Sequence, residues 1–374
     1  MKSHLVLLSV VCFAASAFAQ EAVPPDVTAR FLAGLPVRDT PLEGLSRNQA
    51  WVDHAIEFDQ AWKQLDARQI SKIRAWSGEF LADPSASKGP MFYMFSGPDI
   101  LYAQAFFPNA STYVLAGLEP VGPVPDVQHL PAGTLFSSLA NLRKSLNSVL
   151  SFSFFITKDM KTDLHDTQLS GTLPILYVFL ERAGCKIDSV ELVGLDKSGN
   201  LATGKGTASG VKIVFFGASG AQQTLYYFST NLANDGIKSQ PGFLKFCDSL
   251  GTGRSLVKAA SYLMHLSEFT TVRDFLLTHC STIVEDDSGI PLKDFDPNKW
   301  SLRFFGNYSG PISLFKQHGQ PDLAVAFQNS HPPALPFGFG YSWHPSRSSL
   351  ILATSRVAGG ESATPEKSAA ATKP

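Results

Sequence analysis

The sequence predicts an α/β or α+β fold: a mixed sheet with at least one parallel strand–helix–strand unit, behind a helical N-terminal segment. Three observations carry this expectation. An apolar stripe containing three tryptophans recurs at three- and four-residue steps between Ser46 and Leu81. MFYMF (91–95) and TYVLAGL (112–118) are short β-rich runs, joined through a helical stretch from Asp99 to Phe107. VKIVFFG (211–217) and QTLYYFST (223–230) flank Ala218-Ser219-Gly220-Ala221, the pattern of a hairpin.

From the N-terminus, Lys2, the apolar run Leu5 to Ala15 and the A-x-A site Ala17-Phe18-Ala19 read as a secretory signal peptide cut after Ala19. The expected organisation is a signal peptide at 1–19, a helical segment at 20–85, a mixed α/β domain at 86–357 and a disordered tail at 358–374. In the helical segment Trp51, Ala55, Phe58, Trp62 and Leu65, then Ile73, Trp76 and Phe80, form the core-facing stripe. Ser46 is its expected N-cap and Asp83-Pro84 its stop. Further helices are expected at 136–155, 173–183, 255–266, 271–279 and 321–329. Strands are expected at 187–195 and 300–305, on either side of the turn in STIVEDDSGIPLKDF, and in FGFGYSW and SSLILATSR near the C-terminus.

Composition bounds the function. Hydrophobic residues make up 44% and charged residues 17% of the chain, which is globular, and 31 basic residues nearly balance 32 acidic ones. With no basic run, nucleic acid is not an expected partner. No later segment has the unbroken apolar length of a membrane span, so the mature chain is expected in the periplasm or outside the cell. Cys185, Cys247 and Cys280 remain after cleavage. Cys247–Cys280 is the pair to test for a disulfide, with buried free thiols the alternative.

Most catalytic motifs fail on context. GNLATGKGT (199–207) lacks the hydroxyl residue of a P-loop and leads into a strand rather than a helix. Asp287-Ser288-Gly289 matches half of an aspartic-protease pair, but Glu285-Asp286 before it disfavour the buried setting such a pair needs, and turn chemistry explains the triplet better. Ser255-Leu256-Val257-Lys258 fits the S-x-x-K of penicillin-interacting serine enzymes at an expected helix start, without the companion elements. Asp163, His165 and Asp166 are too local for a metal site, and the histidines do not cluster, so no metal and no cofactor is expected.

Two groups of residues remain as candidates. Ser96, Asp99 and Glu119 lie past the carboxyl ends of the two parallel strands, the edge where open α/β sheets bind ligands, and Asp196 follows a further strand. The competing reading of Ser96-Gly97-Pro98-Asp99 is a capping box, with Ser-Gly-Pro reused at 309–311. Phe337, Phe339, Tyr341 and Trp343 alternate with small residues; on a strand they share one face, either stacked on a ligand such as a sugar ring or packed in the core.

SGPDILYAQAFFPNASTYVLAGLEPVG resembles a segment of uncharacterised secreted bacterial proteins, with DDSGIPLKDF as a second point of likeness. The resemblance implies a bacterial envelope setting and brings no activity or cofactor. Two functions follow from the residues. One is a non-catalytic exported protein binding a small molecule or glycan. The other is a hydrolase of envelope material using Ser96, Asp99 or Glu119.

Overall fold

The computed structural model describes residues 23–81, 88–151, 168–203 and 208–356. The expected signal peptide, the tail and the Asp163–Asp166 group lie outside the described residues, as does Asp83-Pro84. Among the described residues no helix is long and apolar enough to cross a membrane.

Strands β1 (Met91–Tyr93), β2 (Thr112–Gly117), β3 (Lys186–Leu195), β4 (Leu201–Thr203), β5 (Ala208–Phe216), β6 (Gln222–Ser229), β7 (Gly253–Val257), β8 (Cys280–Glu285), β9 (Trp300–Gly306) and β10 (Ser349–Ser355) form one sheet. Their order is β4-β3-β5-β6-β2-β1-β7-β8-β10-β9. The middle of the sheet, β6-β2-β1-β7-β8, is parallel throughout. Antiparallel strands extend both sides, including the β5–β6 hairpin expected from the sequence. This is the mixed α/β architecture, with the parallel β1–helix–β2 unit at its centre.

Along β1, side chains alternate between two cores: Met91 and Tyr93 join one, Phe92 and Met94 the other. The first core lies under the helices α1 (Pro25–Leu32), α3 (Gln49–Leu65), α4 (Ser71–Phe80), α5 (Ile100–Phe106), α6 (Ala132–Ser151) and α7 (Leu173–Arg182), with the short α2 (Glu43–Ser46) beside them. The second lies under α8 (Asn234–Ser239), α9 (Gly242–Ser249) and α10 (Thr270–His279). A last helix, α11 (Pro321–Ser330), packs beside β10. The two parallel crossovers flanking β1 and β7 therefore use opposite faces: α5 covers one and α10 the other. The sheet changes direction of winding between β1 and β7, which makes their carboxyl ends a topological switch point.

The N-terminal stripe behaves as its spacing requires, with Trp51, Phe58, Trp62, Leu65, Ile73 and Trp76 all buried. Its cap is Asn48, whose side chain accepts from the Ala50 amide at 2.9 Å, and not Ser46. Between α3 and α4 the chain makes one π turn, Asp66–Ile70. His54 sits in this stripe, buried, with Nε2 donating to the Leu32 carbonyl at 3.0 Å and its ring stacked on Phe58. Burial lowers the His54 pKa from 6.5 to about 4. A folded value below the unfolded one contributes stability above pH 6.5 that is lost as pH falls through 4. Wild-type protein should therefore lose more stability between pH 7 and pH 4.5 than His54→Gln does; equal losses in urea unfolding at the two pH values would remove His54 from the acid response.

Several expected elements differ. Residues 255–266 do not begin a helix. Ser255 to Val257 belong to β7, buried on both faces, and such a strand shows an apolar run without alternation. The returning strand after DDSG is a single 3₁₀ turn, Leu292–Asp294, because β8 takes β10 as its antiparallel neighbour. FGFGYSW is not a strand but a loop folded on itself: a Cβ at Gly338 would stand 1.5 Å from the Trp343 carbonyl oxygen. Cys185, Cys247 and Cys280 are buried and free, so the Cys247–Cys280 bridge is not formed.

Candidate functional site

At the switch point the carboxyl ends of β1, β2, β6 and β7 enclose a cleft of about 240 Å³. Phe95 to Asp99 follow β1, Leu118 and Glu119 follow β2, Thr230 to Leu232 follow β6, and Lys258 to Ser261 follow β7. Leu263, Phe269 and Tyr341 close the wall. The cleft is smaller than the roughly 300–1,000 Å³ of drug-sized sites, which suits one ring or a short chain.

A buried ion pair lies in its wall. Lys258 Nζ is 2.8 Å from Asp99 Oδ2, with both side chains almost fully enclosed. Tyr93 donates its hydroxyl to the same carboxylate oxygen at 3.0 Å, and Oδ1 accepts from the Tyr102 amide at 3.3 Å. Lys258 Nζ also lies 3.2 Å from the centre of the Tyr102 ring. Burial raises the Asp99 carboxyl and lowers the Lys258 ammonium, while their mutual contact opposes both shifts. The N-terminal helices reach this centre through Gln69, buried in the π turn. Its amide brackets the Gly338 backbone at 2.8 and 2.9 Å and donates to the Tyr102 hydroxyl at 3.4 Å.

The turn after β7 is strained. Ala259, Ser261 and Tyr262 all hold φ between +52° and +55°, and Phe95 across the cleft holds +59°. Such left-handed residues cost free energy and persist only where their surroundings over-determine them. Here Asp286-Asp287-Ser288 does so. Asp286 Oδ1 accepts from the Ala259 amide at 3.2 Å and from the Ser288 hydroxyl at 2.6 Å, and Ser288 Oγ accepts from the Ala260 amide at 2.8 Å. Tyr262 donates to Asp287 Oδ2 at 2.5 Å, and Tyr341 donates to the Ala259 carbonyl at 2.9 Å. Ser261 and Tyr341 share a hydrogen bond of 2.8 Å. Burial, and then the neighbouring Asp287, push the Asp286 carboxyl well above the usual carboxylate range.

The expected turn at Asp287-Ser288-Gly289 is present, but the setting is the reverse of the open one its charges implied: Glu285, Asp286, Asp287 and Ser288 are all buried. Asp286 also explains Gly340, where a Cβ would stand 1.8 Å from Asp286 Oδ2 and φ is +65°.

Ser96, Asp99 and Glu119 do meet in one cleft. The capping box is not formed. Asp99 is itself the N-cap of α5, and Ser96 instead stitches β1 to β2. Its hydroxyl donates to Gly97 and Ala116 carbonyls at 2.8 and 3.3 Å and accepts from the Ala116 amide at 3.2 Å. Asp196 bonds to Ser198 and Asn200 in its own turn and stays outside the cleft. The second Ser-Gly-Pro, 309–311, starts no α-helix; a 3₁₀ stretch, Ser313–His318, follows it.

The aromatic alternation splits. Phe337 and Phe339 are core residues against Phe106, Tyr341 lines the cleft, and Trp343 lies half-buried against His344. With no strand to align them, the four rings do not form one face. Ser261 and Asp286 belong to none of the catalytic motifs in the sequence, and Lys258 and Ser288 belong to two, S-x-x-K and Asp-Ser-Gly, whose chemistry they do not serve: Ser255 is fully buried in β7 and starts no helix. Among the described residues no group of histidine, cysteine and carboxylate side chains is arranged to hold a metal. In comparisons with known proteins, no family model, no curated protein and no solved structure matches this chain.

Proposed function

We propose that this is an exported, non-catalytic protein that binds one small ligand, a compact molecule or a single sugar ring, in the strand-end cleft. One observation carries the reading: four of the six non-glycine residues with positive φ among the described residues, Phe95, Ala259, Ser261 and Tyr262, lie in or beside this cleft. Strain of this kind, at a topological switch point and braced by a buried polar network, is what a preformed binding site requires. Export rests on the signal-peptide pattern of residues 1–19, and the envelope setting on the likeness carried by residues 96–122.

Native mass spectrometry of the mature protein, purified from the cell that makes it, tests the binding. The expected result is a small-molecule adduct that Leu118→Trp abolishes. Leu118 is 63% exposed at the cleft mouth, so the indole blocks access without disturbing the core. An adduct retained by folded Leu118→Trp overturns the reading.

The hydrolase alternative is supported by the meeting of Ser96, Asp99 and Glu119 and by the raised Asp99 carboxyl. It is disfavoured because the Ser96 hydroxyl is bound to backbone, Asp99 is held by Lys258, and no histidine among the described residues lines the cleft. Turnover of nitrophenyl esters or glycosides by wild type, lost in Leu118→Trp, would reverse that preference.

A further inference from the structure

We infer that the cleft recognises a ligand with a positively charged amine head on a short apolar or aromatic body, and that Glu119 is the residue that reads the charge. This rests on the reading of the cleft as a binding site and names its ligand class. Glu119 is 5% exposed and lines the cleft. Its side-chain hydrogen bond is from the Tyr227 hydroxyl to Oε2 at a long 3.4 Å, because that hydroxyl donates chiefly to the Glu119 carbonyl at 2.7 Å. No lysine, arginine or histidine among the described residues forms an ion pair with it; the cation of the cleft, Lys258, is engaged by Asp99. Buried carboxylates are ordinarily paired, so one lining a cleft without a cation is a receptor for one.

Two further features agree. Space for Glu119 is kept by Gly117, where a Cβ would stand 2.3 Å from Oε2. The walls hold the rings of Phe95, Phe269 and Tyr341, with Leu118, Leu232 and Leu263, an aromatic and aliphatic lining that accepts an apolar body and favours a cation over its ring faces. An anionic ligand would instead meet Glu119 and Asp99, with Asp286 close behind them, while Lys258, the one ammonium among the described residues of the cleft, is already paired.

The test uses three probes of one shape and different charge on the mature protein at low salt and pH 7: 2-phenylethylammonium, 2-phenylethanol and phenylacetate, followed by calorimetry and thermal shift. The ammonium probe should bind at least about tenfold more tightly than the alcohol, the size of one hydrogen bond to a charged group, and phenylacetate more weakly still. Glu119→Gln, which keeps the shape, should reduce the ammonium probe to the affinity of the alcohol. Added salt should weaken the ammonium probe alone. Equal binding of ammonium and alcohol, tighter binding of phenylacetate, or an unchanged ammonium affinity in Glu119→Gln overturns the inference. If the alcohol or phenylacetate binds best and Leu118→Trp blocks it, the cation fails and the cleft stands. If none of the three binds and no adduct depends on Leu118, both fail.

Discussion

Lys258→Ala is expected to destabilise the protein by about 3–5 kcal/mol, the cost of removing one member of a buried ion pair. The Asp99 carboxylate would be left with Tyr93 and one backbone amide, next to the Asp286 carboxyl that helps brace the turn after β7. Asp99→Asn should cost a similar amount from the other side, since it strands the ammonium over the Tyr102 ring. That is well above the roughly 1 kcal/mol expected if Asp99 were only a helix cap. Denaturant unfolding of both single variants and of Asp99→Leu/Lys258→Met decides the matter. The double variant should recover most of the loss, because two apolar groups of similar volume leave no buried charge uncompensated. A loss near 1 kcal/mol in Asp99→Asn, with no coupling to Lys258, would contradict the ion pair as the organising contact of the cleft.

Trp76→Ala carries the second large effect, about 3–5 kcal/mol, the range for deleting a buried aromatic ring. The indole is 4% exposed and meets Phe106, Phe305 and Phe337 edge-on, with centroids 5.8, 5.1 and 6.2 Å apart. These partners come from α5, β9 and the 337–343 loop, so one ring ties the N-terminal helices to the sheet and to the loop that carries Tyr341 into the cleft. Among the described residues its Nε1 has no hydrogen-bond partner, so the loss is one of packing and not of a polar bond. Trp76→Phe should accordingly cost less than half as much in the same unfolding experiment. Near-equal losses would mean that the N–H matters more than the geometry allows.

The parallel unit at 91–117 was legible because its strands are short apolar runs on either side of a seven-residue helix, with turn residues at each junction. The hairpin at 208–229 was legible for the same local reason. β7 was not. A strand buried on both faces shows no alternation, and GRSLVK followed by AASYLMHL scans as readily for a helix. That misreading also hid Lys258, whose importance depends on β7 being the neighbour of β1, a pairing across more than 160 residues of chain. The DDSG segment misled in a different way. Its carboxylates read as solvent-facing, yet they are buried because the strained amides of the 258–262 turn need acceptors. The approach of Asp286 to Gly340 in FGFGYSW is likewise visible only in the fold.

If the carboxyl ends of β1, β2, β6 and β7 form the working site, hydrogen exchange should report ligand there first. Mature protein is exchanged alone and with the adduct that co-purifies with it, or with 2-phenylethylammonium. Protection is predicted in peptides covering 93–99, 117–119 and 258–263, and its loss in Leu118→Trp. Protection confined to the shallow surface pocket around Tyr308, Gln320 and Ala324, with the strand ends unchanged, would place the working site there instead.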